Sequence, residues 1–200
     1  MRLTLRAFSA SIVESLATSL PEIDDETAYA FAYCDFRNDA SSQSASAVLG
    51  SLLAQLCTRL GAIPAKVLEA YDRRNQSSRP PLECLIQSLL EISHQRKLHL
   101  CVDALDETRE APELMDAFVR LLDGSYYIKI LITGRSNVRV SPRLAKRAVH
   151  IDLSNRVAHV DHDIELYINK HLEEDSRLEW LAPNVRSHIS KALISKSLGM

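Results

Sequence analysis

The sequence predicts an α/β fold built on an open, mostly parallel sheet covered by helices on both faces, and three observations carry that expectation. Apolar runs of strand length, Thr27–Cys34, Lys97–Asp103, Tyr126–Thr133 and Val149–Leu153, alternate with amphipathic stretches of helical period. Two of these runs deliver chemically capable residues at their C-terminal ends, carboxylates after Val102 and an arginine just beyond Thr133. In parallel sheets ligands gather at that edge. The chain's 200 residues, 46% hydrophobic and 25% charged, are enough for one sizeable core.

The elements run in order along the chain. Phe8, Ile12, Val13, Leu16 and Leu20 recur at helical spacing, and Pro21 with Asp24 and Asp25 ends the pattern, so a helix is expected over 7–20. Thr27–Cys34 is short and aromatic-rich and gives way to the turn-prone Asp35–Asp39, a buried strand and its loop. Ser44 or Ser46 can cap a long helix carrying Val48, Leu49, Leu52, Leu53, Leu56 and Leu60, which Gly61 stops. A shorter helix comes after Pro64, through Val67, Leu68 and Tyr71. Asn75–Pro81 is the clearest loop, and its proline pair opens a helix with Leu82, Leu85, Ile86, Leu89, Leu90 and Ile92. The period then changes. Lys97–Asp103 reads as a strand, Pro112–Leu122 as a helix, Tyr126–Thr133 as the most β-prone strand of the chain, and Val149–Leu153 as a short one. Asp163–Leu172 and Asn184–Leu198 are the last helices. No internal repeat or low-complexity tract occurs.

Composition removes several functional classes. A net charge of −2 gives no electrostatic footprint for nucleic acid and no polybasic anchor for anionic lipid. No continuous apolar run spans a bilayer. Cys34, Cys57, Cys84 and Cys101 are widely spaced, lie in apolar surroundings and form no CxxC pair, which fits buried thiols in a reducing, cytoplasmic setting. No Gly-x-Ser-x-Gly elbow anchors a hydrolase triad. His159, Asp161, His162 and Asp163 are metal-ligand types at close spacing, but a helix N-terminus rich in capping groups accounts for them better. Arg135, Arg139, Arg143, Lys146 and Arg147 read as a solvated basic connection, since no aromatic residues interleave with them.

The chemistry is concentrated after the Lys97–Asp103 strand. Leu98–Glu107 is an apolar strand that ends in Asp103 and is followed by the pair Asp106 and Glu107, the shape of a Walker B element. Magnesium is hard and octahedral and is held there through one or two carboxylates, water and nucleotide phosphates. A second carboxylate can orient or deprotonate an attacking water. Equally, Asp103 can simply end a strand while Asp106 and Thr108 cap the helix after it. The next strand ends in Thr133-Gly134-Arg135, where a guanidinium can read a terminal phosphate by forked hydrogen bonds.

Together with the strand Ala30–Phe36, these segments resemble the NACHT domain of STAND NTPases, in particular the nephrocystin-like form abundant in fungal proteins bearing ankyrin or WD repeats. Further likenesses are Val48–Leu56, His150–Leu153, Asp163–Ile168 and the closing Lys196–Met200. The resemblance covers essentially residues 1–200, with a further helical region beginning at 176–200. It implies an incomplete P-loop NTPase three-layer sandwich, magnesium with ATP or GTP as ligands, and partners that are proteins or adjoining repeat domains. It further implies switch-type nucleotide hydrolysis in signalling. Asp103 would serve magnesium, Asp106 and Glu107 water activation, and Arg135 the terminal phosphate.

One departure is as informative as the likeness. The family's phosphate-binding loop, GxxxxGK[ST], cradles phosphates with backbone N–H groups and neutralises them with lysine. Here none of Gly50, Gly61, Gly124, Gly134 and Gly199 is followed by lysine, so the Walker A loop and its strand are not found in these residues. By the family's sheet order that strand lies between the Tyr126–Thr133 and Val149–Leu153 strands. The expectation is a chain deficient in nucleotide binding and hydrolysis, with a non-catalytic protein-interaction module as the alternative.

Overall fold

In the computed structural model, residues 12–15, 18, 26–35, 43–72, 80–135, 138–152 and 157–197 are described. Three strands, β1 (Thr27–Tyr33), β2 (Lys97–Asp103) and β3 (Ile128–Ile132), pair in parallel in the order in which the chain makes them. The register sets Ala30 beside Leu100 and Leu100 beside Ile130. Strand alternation then divides the sheet. Ala28, Ala30, Ala32, Leu98, Leu100, Val102 and Ile128 lie on one face and join the main apolar core. Tyr29, Phe31, Tyr33, His99, Cys101, Lys129 and Leu131 fall on the other.

Four helices accompany this sheet: α1 (Ala45–Leu60), α2 (Ala65–Asp72), α3 (Leu82–Ser93) and α4 (Ala111–Gly124). Leu49, Leu52 and Leu56 of α1, Leu85, Ile86 and Leu89 of α3, and Leu114, Phe118 and Leu121 of α4 are buried in the same core. These four helices share one face because strand order copies chain order, so that right-handed crossovers return over the same side. The expected α/β class with a parallel sheet is therefore present. Of the helix expected over 7–20, Ile12–Ser15 and Thr18 are helical, and the rest lies outside the described residues.

Local signals fix the helix ends. Ser44, not Ser46, caps α1, its hydroxyl accepting the Ala47 N–H at 3.1 Å, and Gly61 ends the helix in the left-handed region at φ 64°. β1 is an edge strand, and α1 closes that edge. The Gln55 side chain accepts the Phe31 N–H at 3.2 Å and donates to the Phe31 carbonyl at 2.7 Å, replacing a neighbouring strand at that residue. Arg59 lies over the Tyr29 ring at 3.8 Å on the same flank.

Two differences from the sequence reading have physical causes. β3 begins at Ile128 rather than Tyr126: pairing starts where the Tyr127 carbonyl accepts the Leu98 N–H at 2.8 Å, and Tyr126 is exposed ahead of it. Of the expected strand Val149–Leu153, residues 149–152 are not a strand. Val149 is 90% and Ile151 61% exposed, and Leu153 lies outside the described residues. Alternating apolar residues supply propensity, but a strand persists only where a neighbour takes its ladder bonds. A short helix the sequence reading did not anticipate, α5 (Pro142–Ala145), begins at Ser141, whose hydroxyl accepts the Leu144 N–H at 3.3 Å. Arg143 and Arg147 of the basic stretch pair with Asp123.

The chain divides into two compact units, one over Leu5–Ala148 and one that includes Val149–Met200. The second contains α6 (Val157–Glu174) and α7 (Pro183–Ser197), which pack on each other. α6 starts six residues before the expected Asp163. Between the helices, the Arg186 guanidinium donates to the Leu178, Glu179 and Leu181 carbonyls, and the Ser190 hydroxyl donates to Asn169 Oδ1 at 2.8 Å. Among the described residues no single helix is long and apolar enough to cross a membrane.

Replacing Gln55 with leucine keeps the volume but leaves the Phe31 N–H and carbonyl without partners, a loss of about 1–3 kcal/mol in denaturant unfolding. A change below about 0.5 kcal/mol would show that this edge contact contributes little.

Candidate functional site

The C-terminal edge of the sheet is organised around Thr133. By register it comes after Ile132, the partner of Val102, and so stands beside Asp103. Its N–H donates to the Val102 carbonyl at 3.0 Å and its carbonyl accepts the Leu105 N–H at 2.9 Å. Its hydroxyl accepts the Ala104 N–H at 3.1 Å and donates to Asp103 Oδ1. These four hydrogen bonds hold the chain through a sharp change of direction. Ala104 sits in the left-handed region at φ 57°, where a Cβ is penalised, so the turn survives because its neighbours over-determine it.

Past Ala104 a single three-ten turn, Leu105–Glu107, places the remaining carboxylates. The Glu107 N–H closes it onto the Ala104 carbonyl at 2.8 Å. Asp106 points back across the sheet end to Arg135. Its Oδ1 accepts the Arg135 backbone N–H at 3.1 Å, and its Oδ2 lies 3.3 Å from Arg135 Nε. Glu107 is buried at the same edge.

The loop beyond is tied to the start of α1. The Thr108 hydroxyl donates to the Gln43 carbonyl, and Glu110 Oε2 accepts the Ala45 N–H at 2.9 Å. That carboxylate meets an otherwise unpaired donor at the positive end of the helix dipole. Gln43 Nε2 donates in turn to the Asp35 carbonyl at 3.1 Å, while the Cys34 N–H donates to the Asp103 carbonyl at 3.0 Å. The loops after β1, β2 and β3 are thereby joined at one edge.

Asp103 is the most enclosed of the charged residues, 1% exposed. One carboxylate oxygen is engaged by Thr133. The other, Oδ2, is buried without a hydrogen-bond partner, the one such side-chain oxygen or nitrogen among the described residues. An ionised oxygen left bare costs several kcal/mol unless a cation or donor meets it. The charge is felt nearby. Burial, then Asp103, Glu107 and Asp106, push the Cys34 thiol up to about 12, and burial and Asp103 push Cys101 up to about 11. Both stay thiols rather than nucleophilic thiolates at neutral pH.

The four residues singled out from the sequence, Asp103, Asp106, Glu107 and Arg135, thus lie at the ends of two adjacent parallel strands and the turn between them. The sequence reading gave Asp106 and Arg135 separate tasks, and the structure pairs them. Thr133, Gln43 and Glu110 were not singled out for any role. Thr133 was findable, since a hydroxyl at the end of one strand, in register with an acid at the end of the next, is a hydrogen-bonding arrangement. Gln43 and Glu110 carry no local signal, because their partners are 8 and 65 residues away in sequence. His159 to Asp163 fall within the first turns of α6 rather than ahead of it. Among the described residues no group of three or more His, Cys, Asp or Glu is placed to hold a metal by itself.

The chain is thus a parallel α/β domain whose acids and arginine converge at the C-terminal strand ends, the edge at which such sheets bind ligands. Residues 7–135, well over half of the chain and containing all three strands and the site, match the family described as Nephrocystin 3, N-terminal, and the chain belongs to that family. No curated protein and no solved structure matches it.

Substituting Thr133 with valine removes the hydroxyl but keeps the shape, leaving the Ala104 N–H and both Asp103 oxygens without partners. The expected loss is about 2–4 kcal/mol in denaturant unfolding, with serine recovering most of it. A valine variant as stable as the parent would show that the hydroxyl does not hold this turn.

Proposed function

We propose that the C-terminal edge of the sheet is the magnesium and terminal-phosphate side of a nucleotide switch site of the NACHT type, within a signalling protein of the cytoplasm. The observation that carries this reading is the buried, unpartnered Asp103 Oδ2 at the end of β2, the strand adjacent to β3, beyond which Arg135 follows. Its fit to magnesium is chemical. The ion takes one or two protein carboxylates and completes its octahedron with waters and phosphate oxygens, so a single acid is a sufficient donor where a nucleotide supplies the rest. When bound, the ion neutralises phosphate charge. Thr133 fixes Asp103 by one oxygen, and the other, buried without a partner, would serve the ion. Arg135 offers its guanidinium to terminal-phosphate oxygens, the geometry for which arginine is better suited than lysine. Glu107, in the turn after β2, would be the acid that orients water.

The phosphate cradle is a separate component. GxxxxGK[ST] does not occur in these residues, and without it most of the binding energy and charge neutralisation for phosphoryl transfer is missing. The described chain therefore serves as the sensing half of the site, relaying nucleotide state to attached protein domains. A non-catalytic interaction module is the second reading, and it is favoured by one observation, the commitment of both Asp106 oxygens to Arg135.

Calorimetric titration with Mg-ATP and Mg-GTP tests the reading on two proteins, the chain as given and the same chain preceded by a strand and GxxxxGK[ST] loop from a family member that has them. Binding is expected for the extended chain alone. Asp103→Asn should abolish its magnesium dependence, and Arg135→Ala should weaken triphosphate binding about tenfold relative to diphosphate. Nucleotide binding indifferent to both substitutions would contradict the proposal.

A further inference from the structure

The NACHT resemblance implies water activation for Asp106, but its geometry does something else. A base that takes a proton from water needs an oxygen free to face that water. Both Asp106 oxygens are turned to one residue: Oδ1 accepts the Arg135 backbone N–H at 3.1 Å, and Oδ2 forms an ion pair, without a hydrogen bond, with Arg135 Nε at 3.3 Å. Its side chain is only 9% exposed, whereas that of Arg135 is 40% exposed. The two contacts are complementary. One fixes the backbone of Arg135 just beyond β3, the other draws the Nε side of the guanidinium to the carboxylate, and the terminal Nη1 and Nη2 are left to a ligand. Among the described residues no other group engages those two nitrogens. Two parallel N–H donors at the rim of a strand end are the donor set that a phosphate or carboxylate takes up in bidentate fashion.

We propose that Asp106 is the positioning residue of Arg135: it holds the arginine by a hydrogen bond from its backbone N–H and an ion pair at Nε, so that the Nη pair is presented, already oriented, to the oxygens of an anionic ligand. This deepens the nucleotide reading, on which the identity of the anion rests, but the grip itself does not depend on it. Its consequence runs against simple electrostatics. A carboxylate beside an anion site repels the anion, so Coulomb's law alone says that removing the charge tightens binding. If orientation dominates, removal loosens it instead, because a free arginine must surrender rotamer freedom on binding.

Nuclear magnetic resonance on the full chain separates these. The Arg135 Nε–H signal is assigned by its disappearance in Arg135→Lys. In the free parent protein it is expected to be as ordered as the backbone, and in Asp106→Ala to become mobile while the amide spectrum of the three strands stays in place. A mobile Nε–H in the parent overturns the proposal. Asp106→Asn, nearly isosteric, offers one acceptor oxygen where the carboxylate offers two, so it guards against a folding defect. Titration of the extended chain, preceded by the strand and GxxxxGK[ST] loop, with inorganic tripolyphosphate then gives the sign: about tenfold weaker binding at Arg135 in Asp106→Asn supports positioning, and tighter or unchanged binding refutes it. If tripolyphosphate leaves the Arg135 signal of the extended chain unmoved, the nucleotide reading loses its arginine, while the order of the Nε–H still decides the grip.

Discussion

The pairing of β2 with β3 continues one residue past the end of β3, at Asp103 and Thr133, and the rest of the candidate site hangs from that step. Parallel register brings the hydroxyl beside the carboxylate. Four hydrogen bonds from the single residue Thr133 then hold Val102 through Leu105, including a left-handed alanine that few contexts tolerate. Because Ala104 turns there, the next turn runs back over the sheet end, and Asp106 reaches Arg135 rather than solvent. A side chain at one strand end sets the path of the chain leaving the next.

The same edge is tied on its far side to the start of α1. Glu110 and Thr108 from the loop after β2 meet Ala45 and Gln43, and Gln43 meets the loop after β1. Loops ordinarily carry function because they vary on a rigid scaffold. Here the loop backbone is itself held by partners from other elements, so a ligand at this edge would act on α1 and on both strand ends together. Such a connected set of hydrogen bonds is a physical route by which occupancy of a site can be passed to the body of a domain.

Much of this was legible in the sequence, and the reasons are specific. Thr27–Tyr33 and Lys97–Asp103 announced themselves as short apolar runs bounded by turn residues, and α1 as a long apolar period between a capping serine and Gly61. Those signals are local, and local physics decides them. Val149–Leu153 had the same alternation, yet 149–152 form no strand, because pairing is a property of two segments and propensity of one. The candidate residues were likewise visible as types at strand ends, but their relations were not. That Asp106 and Arg135 are partners, and that Thr133 governs Asp103, depends on contacts about 30 residues apart, bridged by register and by a turn at Ala104 that no alanine advertises.

The central claim is that Thr133 locks the turn after β2 as firmly as the sheet itself, and amide hydrogen exchange on the intact chain measures this directly. The N–H groups of Ala104 and Leu105, which donate to the Thr133 hydroxyl and carbonyl, should exchange as slowly as those of the central strand, such as Leu100. Rapid exchange at Ala104 and Leu105 beside a protected Leu100 would mean that the turn is an ordinary surface loop, and the organisation of the site proposed here would fall with it.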